Sequence, residues 1–143
     1  MKIAYILGAA CALALAAAAP GTAHGTGDKV TTNFDAAIPN IPGKSLTALV
    51  VDYPPGGASP AHIHAKSAFI YAYVLSGEIE SKVNDEPARI YKAGESFSEQ
   101  PGSSHPISRN ASKTEPARLL AVFIVDTNDR ELTTAADQVG KVQ

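Results

Sequence analysis

Gly56-Gly57-Ala58-Ser59-Pro60-Ala61-His62-Ile63-His64 is the stretch from which the fold is read. Two of the chain's four histidines stand one residue apart here, directly after a turn rich in proline and glycine. On an extended strand, side chains at i and i+2 leave the same face, so His62 and His64 project together while Ile63 points away. Two neutral imidazoles side by side hold a divalent metal when other strands supply one or two more ligands. A third histidine, His105, follows another Pro-Gly turn, Pro101-Gly102. A lone histidine is more often structural or exposed, but three set just after strand-breaking turns argue for a shared task.

Working outward, residues 46–53 (Leu-Thr-Ala-Leu-Val-Val-Asp-Tyr) read as a β-branched strand stopped by Pro54-Pro55-Gly56-Gly57. Residues 68–75 are apolar on both parities, which predicts a strand covered on both faces. Ser76-Gly77 turns it into residues 78–83, where Ile79 and Val83 alternate with Glu78, Glu80 and Lys82. Short strands are expected at 89–91, 95–99 and 105–108, and residues 117–126 form the most hydrophobic strand. Many short strands between turn residues, with no convincing helix, predict an all-β sandwich or barrel over residues 46–126. Residues 24–45 read as a loose arm with at most a short edge strand, and 127–143 as a polar tail with at most a turn of helix.

A chain of 143 residues supports one real core. Its net charge of −2, without blocks of like charge, gives no reason to expect nucleic acid or an anionic membrane as partner. The first 23 residues follow different rules. Lys2 precedes an unbroken apolar run over residues 3–19, and Pro20-Gly21-Thr22-Ala23 offers the small residues that a signal peptidase reads. This predicts export to the periplasm or beyond, cleavage after Ala23, and no membrane attachment afterwards. His24 would then be the new terminus. The only cysteine, Cys11, lies inside the leader, so the mature chain has neither a disulfide nor a thiol nucleophile.

With these residues in place, the sequence resembles the cupin superfamily, small β-barrels of the jelly-roll type. The family's first motif runs Gly, five residues, His-x-His, three or four residues, Glu, six residues, Gly. Gly56, His62, His64 and Gly77 fit it. The second motif runs Gly, five residues, Pro-x-Gly, two residues, His, three residues, Asn. Gly94, Gly102 and His105 fit, with proline shifted one place and Asn110 one position late. One departure matters: the motif glutamate falls at Ala68, Phe69 or Ile70, none of them acidic. Glu99 is the candidate replacement. Phe97 should face the interior as the only large apolar residue of its strand, and period-two alternation puts Glu99 on the same side.

The resemblance implies a single-domain jelly-roll barrel holding a divalent transition metal (iron, manganese, nickel, copper or zinc). His62, His64 and His105 would be ligands, and Glu99 a fourth ligand or a proton acceptor. Tyr71, Tyr73 and Phe97 are the expected pocket walls, although core packing is the commoner fate of such aromatics. A small-molecule oxygenase, dioxygenase-like, is the first functional expectation. A non-catalytic metal- or ligand-binding barrel is the second, and a metal-free barrel with a histidine base, like related epimerases, the third. That third chemistry pairs its base with a tyrosine acid, which the sequence does not place. Family analogy also implies a homodimer formed by strand exchange through the arm.

Overall fold

The computed structural model describes residues 27–138, so the expected leader and His24 lie outside the described residues. Eleven strands and one short 3-10 turn make up the described chain. They are β1 (Lys29–Ala37), β2 (Lys44–Tyr53), β3 (His62–His64), β4 (Phe69–Ser76), β5 (Glu78–Lys82) and β6 (Arg89–Lys92). β7 (Ser96–Glu99), β8 (Ser104–His105), β9 (Ile107–Asn110), β10 (Ala117–Asp126) and β11 (Thr133–Ala135) follow, and Ala136–Gln138 forms the 3-10 turn. A five-stranded sheet runs β1-β2-β10-β4-β7, and two three-stranded sheets run β11-β3-β8 and β6-β5-β9. The described residues are all-β, as the short strands between turns predict.

The core follows from period-two alternation on the large sheet. Along β10, Ala117, Leu119, Ala121, Phe123 and Val125 are buried while the residues between them are more exposed. Ile79 of β5 joins Val51, Val74 and Leu119 in one buried cluster. Ile70, Phe123 and Val125 form a second cluster, against which Leu49 and Leu132 pack. The histidine strands β3 and β8 pair with each other, and His62 stands opposite His105.

Three sequence expectations need revision. The arm is a nine-residue strand, β1, paired along its length with β2 from Lys29↔Asp52 to Ala37↔Ser45. Its Thr- and Asn-rich composition hides it, because the apolar partner strand decides the pairing. The tail likewise carries a strand, β11, that pairs with β3 from Thr133↔His64 to Ala135↔His62. Finally, β4 is covered on one face only: Ile70, Ala72 and Val74 are buried, whereas Phe69 and Tyr71 are exposed.

Gly77 makes the β4–β5 turn possible. Its φ is +72°, and a Cβ there would sit 2.7 Å from the Pro116 carbonyl oxygen and 2.8 Å from the Ala117 Cα, both backbone. The left-handed conformation alone costs an L-residue about 1–2 kcal/mol, and the clash adds to it. Gly77→Ala is therefore expected to destabilise the fold by about 3 kcal/mol or more, read from the midpoint of urea unfolding. A midpoint like that of the wild type would show that the turn relaxes freely.

Candidate metal centre

His62 and His64 leave β3 toward the interior because the Pro60-Ala61 approach ends where β11 and β8 begin to pair on either side. His105 enters from β8, immediately after the Pro101-Gly102 turn. One ligand atom from each of the three rings lies within 4.8 Å of the other two. Glu99, at the end of β7, reaches the same space: one carboxylate oxygen is 2.9 Å from His64 Nε2 and 3.2 Å from His105 Nδ1. His64, Glu99 and His105 are all buried, with side-chain exposures of 3–4%. The structure thus brings together His62, His64, His105 and Glu99.

Neighbouring groups fix two of the rings. His62 Nδ1 donates to the Pro60 carbonyl at 2.7 Å, which leaves Nε2 with a free lone pair. Ser81 Oγ lies 2.9 Å from His105 Nε2 and holds that ring from behind. His64 packs edge-on against Phe123, with ring centroids 5.7 Å apart. Sequence reading passed over Ser81, although it falls in phase with Ile79 and Val83, the inward positions of its strand.

The electrostatics favour a cation. Burial pushes the His105 imidazole down to about 4, the Glu99 carboxylate only partly opposing it, and burial lowers His62 as well. Burial would raise the Glu99 carboxyl, but its approach to His64 and the field of the nearby imidazoles outweigh this and hold it below the ordinary value. Near neutral pH an anionic carboxylate therefore faces the uncharged imidazoles of His62 and His105. Both nitrogens of His64 and the inward oxygen of Glu99 have no hydrogen-bond partner despite their burial, because the short contact between them lacks hydrogen-bond geometry. Orphaned polar atoms of this kind are costly unless something binds them. Three nitrogens and one carboxylate oxygen are a donor set suited to first-row transition metals rather than magnesium or calcium. The residues fit the metal.

The other expected wall residues lie elsewhere. Tyr71 and Tyr73 stand on the outer face of the large sheet, because β10 draws the alternate residues Ile70 and Ala72 inward opposite Phe123 and Ala121. Tyr71 is 43% exposed. Phe97 does point inward, stacking on Tyr91 at 4.6 Å and meeting His105 edge-on at 6.3 Å. Asn110 is a structural residue: its amide donates to the carbonyls of Pro54 and Glu115, and its oxygen accepts from the Ser112 N–H.

Beside the histidines opens a cavity of about 370 Å3, walled by Leu49, Val51, Ile70, Leu119 and Phe123 and capped by Leu132 near β11. A tyrosine does line it. Tyr53, from the end of β2, is 2% exposed, and its hydroxyl meets Ser59 Oγ at 2.9 Å and Ser108 Oγ at 2.8 Å. That phenol is engaged by hydroxyls instead of standing free as the acid an epimerase would need.

Comparison with known proteins agrees with the architecture. The family model described as the cupin domain matches residues 49–123. Germin-like protein subfamily 2 member 2 of Arabidopsis thaliana is 33% identical over 101 residues, which are 68% of this chain and 45% of that protein. The chain thus spans less than half the length of that relative. An oxalate oxidase solved with the substrate analogue glycolate aligns at a TM-score of 0.61 and 25% identity, covering 85% of this chain and 61% of its own. A double-stranded β-helix protein from Klebsiella pneumoniae aligns at 0.57 and 20% identity over 71% of this chain and 79% of its own, a likeness of fold. With its paired histidines on β3, its third on β8 and a hydrophobic position where the first motif carries glutamate, the chain belongs to the cupin family.

Proposed function

We propose that the protein is an exported metal-dependent oxygenase of small molecules, with His62, His64, His105 and Glu99 as its metal ligands. The observation that carries this reading is the buried convergence of four ligand groups whose inward atoms include the unpartnered ones of His64 and Glu99. The likeness to an oxalate oxidase and a germin-like protein supports metal chemistry in such a barrel. A divalent iron, manganese, nickel or copper ion held there would supply Lewis acidity and a route for electrons to dioxygen. The chain's residues do the rest. Pro60 and Ser81 hold two imidazoles in place, the Glu99 carboxylate balances the charge and accepts a proton, and the apolar wall excludes bulk water.

Protein purified without a nickel column is expected to carry close to one transition-metal ion per chain by elemental analysis. The metal-loaded form is expected to consume dioxygen with small hydroxylated aromatic compounds on an oxygen electrode. A metal-free protein would remove the metal reading. A loaded protein inert toward a broad panel would leave a binding barrel. Export would show as a mature chain beginning at residue 24 in the N-terminal sequence of the secreted or periplasmic protein.

The outer face of the large sheet points to a second copy of the chain as partner. Cross-strand rows there read Phe34-Ala48-Val122-Tyr71 and Leu46-Ile124-Phe69. Phe34 and Phe69 are 52% and 39% exposed. The Lys44–Asp126 and Arg118–Asp52 pairs, each at 2.6 Å, frame this face at its two ends. Strand spacing gives the apolar centre about 400 Å2, within the roughly 300–600 Å2 of a typical monomer's largest patch, which is often a functional one. The charged rim brings it toward the ~800 Å2 per partner of a standard interface. The wild type is expected to run as a dimer by light scattering and Tyr71→Asp as a monomer with its metal retained. A monomeric wild type would overturn this.

A further inference from the structure

The cavity beside the histidines has a second polar end, built by residues far apart in the sequence. Ser59 Oγ donates to the Asp28 carboxylate, Tyr53 OH lies 2.9 Å from Ser59 Oγ, and Ser108 Oγ lies 2.8 Å from Tyr53 OH. Asp28, Tyr53, Ser59 and Ser108 all line the cavity. The direction of every bond in this chain is forced. A carboxylate only accepts, so the single Ser59 proton is committed to Asp28. Tyr53 must then donate to Ser59, which leaves Ser108 to donate to Tyr53. Burial raises the Tyr53 pKa above the usual phenol value, so the phenol keeps its proton.

The result is a wall that can only accept. Asp28, Ser59 and Ser108 present lone pairs to the cavity with no proton left to offer. Among the described residues no lysine or arginine lines the cavity, and the hydroxyl of Thr133, an exposed residue, is the one uncommitted side-chain donor outside the histidine cluster. At about 370 Å3 the space is near the lower end of the roughly 300–1,000 Å3 of ligand pockets. An anion placed there would meet a carboxylate and bare lone pairs. A ligand without a donor would strand them unpaired in an apolar setting.

We propose that the end of the cavity formed by Asp28, Ser59 and Ser108 selects a compact, apolar-bodied ligand through a hydroxyl donor, that is, an alcohol or phenol rather than a carboxylate. This names the substrate class for the metal site proposed above and rests on that reading for where the ligand reacts. Donor selection itself belongs to the polar chain and does not depend on the metal.

Two probes of nearly equal shape test it: benzyl alcohol, which has the donor, and benzyl methyl ether, which lacks it. Calorimetric titration of metal-free and zinc-loaded protein is expected to show the alcohol binding about tenfold tighter or more in both forms. Asp28→Asn, whose amide can donate and reverse the chain, is expected to shrink the preference to about threefold or less, and Ser59→Ala, which cuts the chain, to do the same. Equal binding of the two probes, or no binding of either, overturns the proposal. So does a preference present only with zinc, since the metal would then be reading the hydroxyl. Zinc stoichiometry, measured on the same samples, decides the metal reading separately.

Discussion

Glu99→Ala is expected to strip the protein of most of its metal, weakening affinity about a hundredfold or more. Loss of a supporting residue around a metal typically costs 10–100-fold, and Glu99 stands closer than that, 2.9 and 3.2 Å from two imidazoles. Among the described residues it is also the only carboxylate in the buried cluster, so its loss leaves the incoming cation without a balancing charge. For a protein saturated with metal, a hundredfold loss corresponds to about 2.7 kcal/mol of ligand-linked stability. That amounts to about 10 °C in the melting temperature for a domain of this size. Metal content by elemental analysis and melting curves with and without zinc would show both effects. In the metal-free protein the change should be milder, because it removes a buried charge that hydrogen bonds do not satisfy. Undiminished metal in Glu99→Ala would make the site a three-histidine centre with the carboxylate a bystander.

How much of this was legible in the sequence depended on whether a signal was local. The histidine pair and the turns before His62 and His105 are local features, and so is the phase that turns Glu99 inward from Phe97. Strands with a single polar face declared their orientation, as β5 did through Ile79. β4 did not. Apolar on both parities, it gives no phase, so Tyr71 was expected at the pocket and stands on the outer face; its orientation is decided across the sheet by Phe123 and Ala121 of β10. β1 and β11 were hidden for a related reason. Their own residues are polar, and the partners β2 and β3 make them strands. The acceptor chain from Asp28 to Ser108 joins residues 31 and 55 positions apart, which no local pattern foretells.

The register of β4 against β7 puts Glu99 opposite the position where the first motif carries glutamate, and it yields the sharper test. Counting back from Gly77 puts that glutamate at Ile70, and Ile70 is the direct cross-strand partner of Glu99. Opposite residues of an antiparallel pair have Cβ atoms about 4.5–5.5 Å apart on the same face, so a carboxylate at either position reaches the same volume. On the proposed reading, the carboxylate is supplied from one strand over and reaches the same space. Moving it back should restore the site. The double variant Ile70→Glu, Glu99→Ala is expected to recover metal to within about tenfold of the wild type, where Glu99→Ala alone fails and Ile70→Gln, Glu99→Ala fails with it. Ile70 is 1% exposed, so without metal the new carboxylate is buried and uncompensated. The metal-free double variant should therefore be several kcal/mol less stable than the wild type and regain most of that loss when zinc is added. A double variant that is folded by circular dichroism yet takes up no metal would show that Glu99 works through an orientation Ile70 cannot offer.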